Sequence, residues 1–186
     1  MRAFVAVDLA QEVLAEIEQF VARMEARLPG ARWVVTTKLH LTLRFLGESD
    51  ERQLATLAAS LESIGSRYRP FTVRYRGIGF FPSARRPRIF WVGLDDPPED
   101  LLNIHKDLEA AVRESGFEPE RRPFSPHLTL ARFRNPRPHP RFQEIAREFE
   151  SQDFGTSRVP DLVLYQSILK REGAEYHALK RLALSG

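Results

Sequence analysis

The sequence predicts an α+β fold in which antiparallel sheets carry helices on their outer faces, arranged as two related lobes. Three observations lead there. The tetrapeptide His40-Leu41-Thr42-Leu43 returns unchanged as His127-Leu128-Thr129-Leu130. An apolar strand and then a helix-period segment precede each copy: Phe4 to Leu9 ends 31 positions before His40, and Ile89 to Leu94 ends 33 positions before His127. The chain has 186 residues with 42% hydrophobic content, enough to bury one sizeable core, so a single bilobal domain over residues 1–186 is expected. A period this long is unlike a solenoid and suits two strand-helix-strand halves.

The elements follow in order. Met1 to Asp8 reads as a strand, and Val13, Leu14, Ile17, Phe20, Val21, Met24 and Leu28 recur at helical spacing until Pro29-Gly30. Trp33-Val34-Val35 is a short extended piece before the first motif strand, which Gly47 closes. Asp50 with Gln53 three residues on is a capping box for a second helix that buries Leu54, Leu57, Ala58, Leu61 and Ile64. Phe71 to Tyr75 reads as a strand, and Gly77 to Pro87 as an irregular connection to the strand through Trp91. Pro97-Pro98 opens a third helix, striped by Leu101, Ile104, Leu108 and Val112 and stopped at Gly116. After the loop Glu118 to Pro126 and the second motif strand come the Pro-rich run Asn135 to Pro140 and a short helix through Phe149. A hairpin of Leu162 to Leu169 and Tyr176 to Leu184 closes the chain.

Composition excludes several chemistries. There is no Cys, so disulfides, Cys-ligated zinc and thiol catalysis are out. The amino-terminal apolar run is short and holds Asp8, and no stretch approaches membrane-spanning length; a soluble cytoplasmic protein without a membrane partner is the expectation. The net charge of +3 comes from 24 Arg against 4 Lys. Arg matches phosphate oxygens bidentately, although genome composition or a hot habitat also accounts for such a bias.

The repeated motif carries the chemistry. In a strand, His40 and Thr42 share one face and Leu41 and Leu43 the other, so the leucines anchor while the polar pair is free to act. Two imidazoles facing each other across a cleft can serve as general base and general acid in one displacement, with hydroxyls holding an oxyanion. That suits in-line attack on a phosphodiester, and a strained 2′,3′-cyclic phosphate can be opened this way without a metal. One His on a strand is ordinary; two in matching contexts are not. His105 reads as an edge-of-core residue, while His139 and His177 have no matching partner. Arg85, Arg86, Arg88, Arg121, Arg122, Arg134 and Arg137 could together guide RNA by salt-sensitive attraction, though each alone reads as a solvated surface residue. Phe80, Phe81 and Trp91 read as core. A zinc site lacks a third ligand near either His, and no H-E-x-x-H, G-x-S-x-G or Walker sequence occurs.

At these residues the chain resembles the two-histidine phosphoesterases, and within them the bacterial and archaeal RNA 2′,3′-cyclic phosphodiesterases historically called 2′-5′ RNA ligases. The resemblance spans nearly the whole chain. It takes in both motifs, Phe4 to Leu9, Arg32-Trp33-Val34, Lys38-Leu39, Phe45-Leu46-Gly47 and Phe80 to Trp91, then Arg122 to Pro126, Ala131-Arg132 and Tyr165-Gln166-Ser167. It implies two antiparallel sheets related by a pseudo-twofold axis, with His40, Thr42, His127 and Thr129 converging on a phosphate in a central cleft. It implies no metal and no cofactor, and a ring opening that leaves a 2′-phosphate, with His127 as base for water and His40 as acid for O3′. It also implies Arg132 as a phosphate ligand and Phe45 as a base-stacking aromatic, each five residues after a motif histidine. Strict alternation puts position +5 on the wrong face: either each strand bulges after its Thr, or these side chains face elsewhere.

The expected partner is RNA with a 2′,3′-cyclic phosphate end, or a small cyclic nucleotide, bound by a monomer. Two other functions fit the same residues. Joining RNA ends through a 2′-5′ linkage is the same reaction reversed, and a non-catalytic RNA-end binder would need the charge and donors but not the proton transfer.

Overall fold

A computed structural model describes residues 1–134, 139–170 and 173–186. Nine strands form two antiparallel sheets among these residues. The first sheet runs β3 (Leu41–Glu48), β1 (Arg2–Val7), β8 (Asp161–Lys170), β9 (Gly173–Ala183). The second runs β2 (Arg32–Trp33), β6 (His127–Arg132), β5 (Ile89–Leu94), β4 (Phe71–Phe81), β7 (Asp153–Val159). Each motif strand pairs with the strand that opens its own half, β3 with β1 and β6 with β5.

The helices exchange sides. Helix α1 (Gln11–Glu25) follows β1 in the first sheet yet packs on the second, where the Phe20 ring meets Phe154 edge-on at 5.1 Å and lies 6.3 Å from Phe90. Helix α3 (Glu99–Glu114) follows β5 in the second sheet yet packs on β3 and on α2 (Glu51–Gly65) of the first. Each half therefore seals the other's core, and one continuous set of buried apolar side chains runs from Ala3 to Leu184. The Asp50–Gln53 capping box forms as the spacing predicts, with reciprocal bonds of 2.7 and 3.2 Å. Helix α4 (Pro140–Glu148) is capped by the His139 side chain, which accepts from the Arg141 amide at 3.1 Å. No helix among the described residues is long and apolar enough to cross a membrane.

Two readings of the sequence change. Gly77 to Phe81 is not an irregular connection but the second half of β4. Gly77, at φ 75°, absorbs a register shift, and Gly79 leaves room for the Trp91 indole: a Cβ there would sit 2.2 Å from its Cζ2. Glycines that read as loop signals are here sites of bulging and close packing within a strand. Strand β7 is also additional. Its Asp153, Gly155 and Ser157 weaken the apolar alternation, and it is held by pairing along β4 and by the buried Ser157 Oγ, which accepts from the Ala10 amide at 2.8 Å.

Candidate active site

Both motifs lie where the two sheets meet. β3 is the margin of the first sheet, and β2, two residues long, covers only the far end of β6, pairing Arg32 with Arg132 and Trp33 with Ala131. The chain leaves β2 through the 3₁₀ turn Thr36–Lys38 and enters β3 after His40, so His40 stands just before its strand while His127 opens the other.

A common device orients the two rings. His40 Nδ1 lies 3.0 Å from the Lys38 carbonyl oxygen, and His127 Nδ1 lies 2.7 Å from that of Ser125. A carbonyl oxygen can only accept, so Nδ1 carries the proton and donates in both cases, which leaves each Nε2 free to take or give one.

The strands also bulge at matching places. Against β1, Ala6 pairs with Thr42 and Val5 with Arg44, so Leu43 is the extra residue; against β5, Trp91 pairs with Thr129 and Phe90 with Ala131, so Leu130 is extra. A bulge puts two successive side chains on one face and reverses the alternation beyond it. Leu43 and Arg44 are accordingly both buried with Phe45 exposed, and Leu130 and Ala131 both buried with Arg132 exposed. Position +5 thus returns to the histidine face in each motif. Phe45 is 61% exposed, and its ring lies 6.0 Å from Phe4, which stacks on His40 at 4.6 Å. Arg132 is exposed and close enough to act on His127 electrostatically. Thr42 and Thr129 are half-buried, and among the described residues neither hydroxyl bonds a protein group, so both stay available as donors.

Surroundings distinguish the histidines. Burial pushes the basicity of both below the ordinary imidazole value, and the hydrogen bond from Nδ1 to the carbonyl opposes this in both. The third influence differs in sign: Asp8 raises His40, whereas Arg132 lowers His127. His40 also sits among aromatic rings, with Tyr176 edge-on at 5.0 Å and Tyr165 at 6.2 Å. Asp8 is fixed by the Tyr165 hydroxyl at 2.6 Å and by Arg181 at 2.8 Å. A cavity of 360 Å³ opens beside His40, lined among others by Asp8, Lys38, Tyr165, Tyr176 and His177. His127 meets the edge of Phe81 at 5.0 Å, and Phe81 packs on Trp91 at 5.1 Å. Phe80 is core, as the sequence suggests, but Phe81 and Trp91 are half-buried beside the motif strand.

Some contributors carry no local signal in the sequence. Arg44, 8% exposed, is in ion-pair contact with Glu109 on α3 at 2.7 Å, though not aligned for a hydrogen bond. It also donates to the Glu118 carbonyl and lies 3.5 Å from the Glu120 carboxylate. The first motif strand thereby grips the loop that delivers Ser125 and His127. Tyr165 and Tyr176 reach His40 only because β8 inserts beside β1. His105 stacks on Phe124 at 3.8 Å, in keeping with an edge-of-core role. Arg85, Arg86, Arg88, Arg121, Arg122 and Arg134 are all exposed, and Arg137 lies outside the described residues. Among the described residues no group of three or more His, Cys, Asp or Glu side chains is placed to hold a metal ion.

Comparison with known proteins agrees with the duplicated architecture. The model of the LigT-like phosphoesterase family matches twice, over residues 7–91 and 92–176, one match for each half. The RNA 2′,3′-cyclic phosphodiesterase of Aeropyrum pernix is 39% identical over 140 residues, 75% of this chain and 78% of that protein. Its counterpart from Archaeoglobus fulgidus is 32% identical over 180 residues, 97% and 98% of the two chains. Among solved structures, the TT0787 protein of Thermus thermophilus superposes with a TM-score of 0.85 at 32% identity, covering 100% of this chain and 99% of the other. Escherichia coli LigT complexed with 3′-AMP gives 0.76 at 29% identity, covering 100% and 98%. Matched in both halves and related across nearly its whole length, the chain belongs to the LigT-like phosphoesterase family.

Proposed function

We propose that this protein is an RNA 2′,3′-cyclic phosphodiesterase that hydrolyses cyclic phosphate ends to 2′-phosphates by paired histidine acid–base catalysis. The observation that carries the reading is the twin motif, in which each imidazole gives Nδ1 to a carbonyl two residues back and keeps Nε2 for the reaction. The relatives named RNA 2′,3′-cyclic phosphodiesterase support the substrate class.

In the forward reaction, neutral His127 takes a proton at Nε2 from a water that attacks phosphorus. The P–O3′ bond breaks in line, and His40, protonated at Nε2, gives its proton to the departing O3′. The products are a 2′-phosphate and a 3′-hydroxyl, and the two rings exchange protonation states before the next turnover. Asp8 beside His40 favours the charged acid, and Arg132 beside His127 favours the neutral base, which is the reason for this assignment. Thr42, Thr129 and Arg132 stabilise the non-bridging oxygens, and Phe45 stacks on the terminal base. Nothing in this sequence of steps calls for a metal. On this reading residues 1–186 form one bilobal domain that acts as a cytoplasmic monomer. In its favour, both motif strands come from the same chain and each half covers the other's sheet, so the site needs no second copy.

The test is incubation with a short RNA ending in 2′,3′-cyclic phosphate, with EDTA present, beside His40→Ala and His127→Ala. Wild type alone should form the 2′-phosphate. A wild-type protein that bound the RNA and left the ring closed would make the motif a phosphate clamp and end the enzymatic reading.

A further inference from the structure

Arg32 and Arg132 stand directly opposite each other where β2 pairs with β6, and Trp33 stands opposite Ala131. Directly opposed residues in an antiparallel pair project to the same face, with Cβ atoms about 5 Å apart. Ala131 is fully buried, and Trp33 packs edge-on to the core ring of Phe90 at 6.0 Å, so that pair faces the core. Arg32 and Arg132 therefore share the other face, which the bulge at Leu130 makes the face of His127 and Thr129.

Like charges directly opposed across a strand pair repel, and both arginines are exposed, with no ion pair to either among the described residues. Phosphates relieve the repulsion, because each guanidinium can meet two oxygens of a phosphate through charge-assisted hydrogen bonds. Their position says which anion. At about 3.3 Å per residue the Cα of Arg132 lies up to about 16 Å along β6 from that of His127. Arg132 reaches back far enough to act on His127. β2 is the edge strand, so Arg32 stands one strand further out than Arg132.

We infer that Arg32 is a second phosphate-binding residue, which holds the backbone phosphate joining the cyclic-ended nucleotide to the one before it while Arg132 serves the terminal phosphate. This rests on the phosphodiesterase reading and adds that the site recognises an RNA chain, not a lone nucleotide.

Calorimetric titration with two product ligands tests it: 2′-AMP, which lacks the upstream phosphate, and the dinucleotide ApA bearing a 2′-phosphate. Arg32→Gln should weaken dinucleotide binding by about tenfold, the worth of one charge-assisted contact, and 2′-AMP binding by less than about twofold. The slope of log affinity against log salt for the dinucleotide should fall by about 0.7, and Arg32→Lys should recover most of it. The thermal midpoint of Arg32→Gln without ligand should equal or exceed that of wild type, since a repulsion is relieved. Equal weakening of both ligands would put Arg32 on the terminal phosphate, and no change in either would make it a solvated surface residue; both overturn the inference. Failure of the wild type to bind either ligand would instead remove the phosphodiesterase reading and this inference with it.

Discussion

His40 is surrounded by Phe4, Tyr165, Tyr176 and a carboxylate; His127 is surrounded by the edge of Phe81 and a guanidinium. Under these unlike surroundings the backbone is the same, down to the carbonyl two residues before each histidine and the bulge after each threonine. Where the bulge turns the strand, one motif carries Arg44 and Phe45 and the other Ala131 and Arg132. The repetition thus reproduces how an imidazole is aimed, while the electrostatics come from residues that do not repeat. Two equal histidines would compete for one role. Opposite neighbouring charges bias them in opposite directions, as the proposed acid and base require.

The largest expected effect tests the sameness. His40→Ala and His127→Ala should each lower kcat by about 10²–10⁴-fold, and the double variant should cost little more than the worse single one, because acid and base act in the same transition state. A double loss equal to the product of the singles, measured in single-turnover assays, would mean that they act in separate steps.

Arg44→Met tests the difference at the bulge. It leaves the largely buried Glu109 carboxylate with His105 Nε2, 3.9 Å away, in place of the guanidinium, and releases the Glu118 carbonyl. We expect a loss of about 3 kcal/mol in urea-induced unfolding, as for other broken buried pairs. A loss below about 1 kcal/mol would show that water replaces the pair without penalty.

The smallest effects concern the charges beside the rings. Burial of both imidazoles predicts a bell-shaped kcat/KM profile for the free enzyme centred below the ordinary imidazole value, its acid limb set by His127 and its alkaline limb by His40. Arg132 lowers the basicity of His127, so Arg132→Gln should move the acid limb to higher pH. Asp8 raises that of His40, so Asp8→Asn should move the alkaline limb to lower pH. Each shift should be less than about one pH unit for charges in a partly solvated cleft. Movement of the opposite limb in either variant would reverse the assignment of acid and base.

Much of this was legible in the sequence because it is local. The helical periods of α1, α2 and α3 and the Asp50–Gln53 box depend on residues within a few turns of each other, and each motif is a short contiguous string whose second copy can be read directly. The parity conflict at Phe45 and Arg132 was also visible, and a bulge was one of its two solutions. What escaped depends on long-range pairing. Nothing near Phe154 announces that β7 will lie along β4, and Tyr165 and Tyr176, more than 120 positions from His40, reach it because β8 inserts beside β1 and β9 pairs with β8. Arg44 looks like the solvent-facing residue of a strand until the extra residue at Leu43 turns it inward.

The most direct test of the two-role account uses an RNA whose cyclic phosphate carries sulfur in place of O3′. A thiolate leaves without protonation, so the need for an acid disappears while the need for a base remains. The account predicts that this substrate restores most of the activity of His40→Ala and little of that of His127→Ala. Rescue of His127→Ala instead, or of neither variant, would contradict it.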